Sequence, residues 1–328
     1  MKSLSSNILL TVLDQIAWIL VVVFFVAFTI LLPQAMLKID TLRFMLYEAA
    51  PLGFLVLAES IVLITGNMDL SIDNMAGFTA MASGLIFIRT PGLSPYIAVL
   101  LPALIGLACG TVNGFLVGYM GLNPFLVTLG TTEFLSGARL LIYGGSIYAG
   151  MLSPFYLMWG GNDLLCIASF LIVLVCFAFF LRYTRVGSHL YAVGGSSEAA
   201  MMMGINVKRS YLLAFMASGI MAGLAGLFFT GFVNEVSRNL ADWTLFPAFS
   251  AAVIGGVSIK GGRGSAINAF AGTIFIGIVE GGLTMFAMAP EGRIAVYGIL
   301  VIVAIVINKS RDAARDRIMR SSIASIEA

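Results

Sequence analysis

Two stretches of this 328-residue chain, Trp18 to Leu32 and Leu164 to Leu181, run without a single charged residue. Runs of that length need an environment other than water, and they recur along the chain. A bilayer core of about 30 Å is crossed by roughly 20 apolar residues of straight helix. On that rule ten spans are expected, near 12–32, 45–65, 74–88, 97–118, 125–142, 164–182, 211–232, 245–257, 267–286 and 293–308. The third and eighth are short, as spans can be where irregular backbone lines protein or a water-filled cavity. The fold class expected is therefore all-α: a polytopic membrane protein of about ten transmembrane helices, some of them short or broken.

Composition agrees. Only 10% of residues are charged and mean hydropathy is +1.02, against about 25% charged in a soluble domain. A net charge of +2 with dispersed basic residues gives nucleic acid nothing to bind. Cys109, Cys166 and Cys176 lie in apolar runs without CxxC spacing, and His189 is the one histidine. Neither a metal site nor a disulfide framework is expected. An integral membrane enzyme has little to build with on these residues. The first apolar run is too long for a signal-peptide core and reads as a retained helix.

Lysine and arginine give the orientation. With ten spans, one side carries twelve basic residues and the other five, with Arg139 inside a span. Both termini are then cytoplasmic. The whole of 1–328 reads as one transmembrane domain, with a cytoplasmic loop at 182–210 and a cytoplasmic tail at 309–328.

Glycines recur inside the spans, as at Gly219, Gly223 and Gly226 and at Gly277 and Gly281. Small residues let helix backbones approach closely in lipid, so packing is their plainer role. The methionines read as core filler rather than a metal box.

Three stretches carry more. In the 182–210 loop, Ser196-Ser197-Glu198 has the hydroxyls and acid of a helix start, and Gly204 suits a helix end. A short helix displayed between two spans is either a knob for another protein or a helix lying on the membrane surface. At Thr65 to Ala80, one span breaks and the next begins, with Asn67, Asp69 and Asp73 at the break. Ionisable groups at membrane depth mark solute paths or cavities; in the headgroup region they would only be solvated. At Asn113 to Thr131, Asn123-Pro124 makes a turn and helix start, entering a span that carries Glu133 and Arg139.

Across residues 45 to 307 the chain resembles the permease subunit of bacterial ABC importers for monosaccharides, the ribose, xylose, arabinose and galactoside group. The resemblance rests on NMDLSI at 67–72, NGFLVGYMGLNPFLVTLGT at 113–131, GG-x-x-EAA-x-x-x-GI at 194–205 and IGGVSIKGGRGS at 254–265. It implies a bacterial inner-membrane protein that pairs with a second permease chain, identical or not. It implies cytoplasmic ATPase chains docked on the loop, giving coupling roles to Gly194, Gly195, Glu198, Ala199, Ala200 and Gly204. A periplasmic binding protein would deliver the sugar. Asn67, Asp69, Asn113 and Thr128 are the candidates for polar groups along the solute path. No G-x-x-x-x-G-K-[ST] occurs in the chain, so no cofactor is expected here; ATP and magnesium would sit on the partner ATPase.

Asp73 stands where such permeases carry a glycine, and Ser265 to Asn268 where a glycine is expected sooner. The substrate therefore stays open among sugars, sugar alcohols and a signalling derivative such as autoinducer-2, and a branched-chain amino-acid permease is a sister alternative. The competing class is a gradient-driven carrier, which would use Glu59, Glu133 or Glu280 as a proton-binding acid; hydrogen bonding to neighbouring helices is the plainer role for each.

Overall fold

The computed structural model describes residues 15–90, 92–142 and 147–324. The described residues form fourteen α-helices: α1 Ile16–Leu31, α2 Pro33–Met36, α3 Ile39–Ile64, α4 Ile72–Arg89, α5 Pro95–Gly118, α6 Pro124–Ile142, α7 Pro154–Gly161, α8 Asp163–Tyr183, α9 Arg185–Gly195, α10 Ser197–Met202, α11 Val207–Val233, α12 Leu245–Ile254, α13 Ala266–Met285 and α14 Pro290–Ala324. The strands β1 Ile147–Tyr148 and β2 Glu235–Val236 form one short antiparallel pair.

Each of the ten expected spans contains one helix. Seven of these, α3, α5, α6, α8, α11, α13 and α14, are long and apolar enough to cross a membrane. α1 and α12 are shorter apolar helices. α4 has 18 residues, but its Asp73, Asn74 and Ser83 make it more polar than the seven. The described part of the expected tail continues α14 as helix to residue 324.

The spans sort into an inner and an outer set. The apolar window of α3 is 89% buried, whereas that of α14 is 11% buried. A helix apolar all round is enclosed by others, and α3 over residues 49–64 comes near that description, with Glu59 and Ser60 as its buried polar residues. Its Phe54 stacks on Phe228 of α11 at 4.6 Å and meets Phe170 of α8 edge-on at 5.5 Å. α13 packs against α3 through small residues: a Cβ on Gly277 would lie 2.8 Å from that of Ala49.

α5 and α11 make the tightest crossing. A Cβ on Gly219 would fall 2.1 Å from the Gly106 carbonyl oxygen, and one on Gly223 the same distance from that of Pro102. Lipid tails provide little hydrophobic drive between helices, so backbone-to-backbone approach supplies contacts that long side chains would prevent.

Candidate functional site

Between α3 and α4 the backbone leaves the helix for seven residues, 65–71, of which Thr65, Asp69 and Ser71 are buried. Buried backbone and carboxylate groups in such a place need partners. Asp69 is fully buried. Its Oδ1 accepts from the Ser71 backbone N–H at 3.0 Å and from the Ser71 hydroxyl at 2.5 Å. Its Oδ2 accepts from Ser218 of α11 at 3.0 Å.

The polar chain continues outward. Asn113 Nδ2 of α5 donates to Ser71 Oγ at 3.0 Å, and Thr131 Oγ1 of α6 donates to Asn113 Oδ1 at 2.6 Å. Thr132 Oγ1 reaches the Leu70 carbonyl at 2.8 Å. Asn113 and Thr131, with Asn123, then line a groove of about 570 Å³ between α5 and α6, walled mostly by apolar side chains such as Val112, Leu126 and Phe134. A hydrogen-bonded line therefore runs from a buried carboxylate to an open groove.

Of the expected path residues, Asp69 and Asn113 are joined through Ser71. Thr128 is buried beside them on α6 and spends its hydroxyl on the Pro124 carbonyl at 2.9 Å. Asn67 turns elsewhere, bonding Thr65 Oγ1 at 2.9 Å and Tyr211. Ser218 and Thr131 were not singled out from sequence. They stand 149 and 18 residues from their partners, where no spacing rule reaches. Glu59 lies against the Asp69 backbone, Glu133 is exposed on α6, and Glu280 bonds Tyr297.

A second polar cluster ties α4, α6 and the chain before α12. Arg139, 3% exposed, donates to Asn74 Oδ1 at 2.6 Å, to Asp242 Oδ1 at 2.9 Å and to the Leu240 carbonyl at 3.2 Å. Gly77 leaves the room: a Cβ there would lie 2.2 Å from Arg139 Nη1.

The 182–210 segment is mostly helical. Thr184 Oγ1 caps α9 by accepting from Gly187 N at 3.0 Å, and Ser196 Oγ caps α10 by accepting from Ala199 N at 3.2 Å. Gly204, at φ +80°, ends α10 in the left-handed conformation, with the Gly204 and Ile205 N–H groups returning to Met201 and Ala200. Ala200 is buried, while Glu198, Ala199 and Gly195 are exposed. Met201, Met202 and Met203 are 64, 89 and 68% exposed.

This displayed helix pair is clamped to the chain break. Gly194 packs on the Ile64 carbonyl, where a Cβ would sit 1.8 Å from the oxygen, and Gly262 N donates to the same carbonyl at 2.8 Å. Tyr191 of α9 donates its hydroxyl to the Gly264 carbonyl at 2.8 Å; burial pushes this phenol above its usual range, so it stays a neutral donor. The end of α3, the end of α9 and the 255–264 loop thus form one joint.

A many-span bundle with a broken central span, an open polar-ended groove and a displayed helix pair has the parts of a solute permease. The chain belongs to the family described as "Branched-chain amino acid transport system / permease component", whose model matches residues 41–305. It is a multi-pass permease of the inner membrane. It is 30% identical to the fructose import permease protein of Rhizobium meliloti over 89% of this chain and 84% of that one. It is 29% identical to the autoinducer 2 import system permease protein of Escherichia coli K12 over 88% and 89% of the two chains. A probable ABC transporter permease of Sinorhizobium fredii is 30% identical over 79% and 78%. No solved structure matches.

Proposed function

We propose that this chain is the translocation subunit of an ATP-driven importer of a monosaccharide or a similarly polyhydroxylated solute. The observation that carries the reading is the joint between α9–α10 and the end of α3. Any displacement of the displayed helices acts on Ile64, and so on the Asp69–Ser71–Asn113–Thr131 line that begins a few residues later. Relatives named for importing fructose and autoinducer 2, both rich in hydroxyl groups, support the substrate class.

In this mechanism a docked cytoplasmic ATPase holds the α9–α10 pair. Glu198 and the three exposed methionines form the gripped face, Gly194 and Gly195 let α9 end against Ile64, and Gly204 turns the chain back into α11. ATP and magnesium belong to that partner. Solute delivered by an external binding protein enters along the groove, where the amide of Asn113 and the hydroxyl of Thr131 exchange hydrogen bonds with its hydroxyls. Asp69 holds the line in register, and Asn67 and Thr128 support its flanks. Closure of the ATPase pair then shifts the joint and reopens the path on the other side.

Purification from the host membrane in mild detergent tests this. The unmodified chain is expected to bring down an ATPase subunit, and Glu198→Lys to remain inserted and folded while losing that subunit and ATP-dependent uptake. A chain that purifies alone and transports in vesicles without ATP would replace this reading with a gradient-driven carrier.

A further inference from the structure

Just beyond the apolar run of α14, Asn308, Arg311, Asp312 and Arg315 fall on one face at i, i+3, i+4 and i+7. That face closes a cavity of about 350 Å³ against the 256–265 loop and the start of α13, with Tyr191 of α9 on its rim. Arg263 also lines it, so three arginines and one carboxylate share the wall. Arg263 Nη2 donates to Asp312 Oδ1 at 2.8 Å, and Arg311, 6% exposed, reaches the Ile254 carbonyl at 3.3 Å.

The backbone is shaped around the guanidinium groups. Gly256 has φ +96°, and a Cβ there would stand 2.7 Å from Arg311 Nη1. Ser265 caps α13 at this wall, accepting from Asn268 N at 3.1 Å. Arginine stays charged at any pH the cell reaches, so converging arginines cannot relieve their repulsion by losing a proton. The lining residues carry two more positive than negative charges, and the planar guanidinium forks match tetrahedral oxyanions. The site follows directly on the apolar run 294–307 of α14, at the polar end of that helix, where a phosphate headgroup or a dissolved anion could reach it.

We infer that this cavity binds a phosphate-type anion, and that the occupant stiffens the joint through Tyr191 and Gly264. The inference does not depend on the solute carried, because the binding itself is measured. The full chain, purified with its native partners in neutral detergent, is melted at matched ionic strength with sodium chloride, sodium phosphate or a short-chain phosphatidylglycerol. A phosphate-bearing anion is expected to raise the midpoint by about 3 °C over chloride at saturation. Arg315→Gln is expected to weaken half-saturation about tenfold, and Arg315→Lys less. If Arg315→Gln does not fold, Arg263→Gln, at a side chain 38% exposed, reads the same charge. A response to phosphatidylglycerol alone assigns the anion to the bilayer, and one to inorganic phosphate alone assigns it to the cytosol. No response beyond chloride, or an unchanged response in the arginine variants, overturns the inference. Loss of the ATPase from Arg315→Gln without any phosphate response would assign the cavity to a carboxylate of that partner, which also overturns it.

Discussion

At the scale of single residues, Arg139 shows how a membrane protein keeps a charge inside. Its guanidinium is almost wholly enclosed and is held by an amide, a carboxylate and a carbonyl from two other segments. Removing one partner of such a cluster leaves the others buried and unmatched, which costs more than the contacts themselves gain. Arg139→Gln is expected to lower stability by roughly 2 kcal/mol, read as a fall in the melting midpoint in detergent. Arg139→Lys should recover little of it, because an ammonium cannot span Asn74, Asp242 and Leu240 together. A lysine variant melting like the unmodified protein would show that charge alone is needed. The sequence made Arg139 conspicuous as a lone base within a span, but it could not supply Asp242, 103 residues away. The same limit hid Ser218 from Asp69. Local chemistry makes a residue suspicious; only the crossing of distant helices says what it meets.

At the scale of elements, legibility depended on whether the signal was local. The spans, the Asn123-Pro124 start of α6 and the Ser196 cap of α10 all follow from neighbouring residues, and the structure carries each of them. The 182–210 segment is more helical than a loop reading suggests because Thr184 starts a second helix, α9, ahead of α10. The glycines of α11 were legible as packing residues, but not their partners, α5 for Gly219 and Gly223 and α4 for Gly226. The crossing with α5 has a sharp consequence. At Gly219 even an alanine Cβ would lie 2.1 Å from a backbone oxygen, so the helices must separate to admit it. Gly219→Ala is expected to cost about 1–3 kcal/mol. Gly298→Ala on α14, where a Cβ meets nothing within 4 Å, should be neutral or stabilise by up to about 1 kcal/mol. Thermal melting of the two purified variants checks the pair, and equal midpoints would remove the crossing from the account of stability.

At the scale of the whole molecule, the question is what covers the outer faces. α14 presents Ile299, Ile302, Val303 and Val306, a face with nothing to offer but hydrocarbon, and lipid suits it. The α5–α6 groove differs, since its lining includes the polar residues Asn113, Asn123 and Thr131 among apolar ones. Acyl chains cannot pair with an amide, and a polar group left without a partner in lipid costs several kcal/mol; Asn123 is exposed at this groove, whereas Asn113 and Thr131 bond each other. A second permease chain across this groove would instead close it into a path lined from both sides. Phe134, 72% exposed at the groove, and Ile302, 64% exposed on α14, therefore make a matched test. In a variant lacking Cys109, Cys166 and Cys176, Phe134→Cys is expected to cross-link in native membranes to a species near twice 34.9 kDa. Ile302→Cys, equally accessible but facing lipid, should stay monomeric under the same reagent. Cross-linking through α14 instead would place the seam on the apolar face and leave the polar end of the groove to be covered by something other than a second permease.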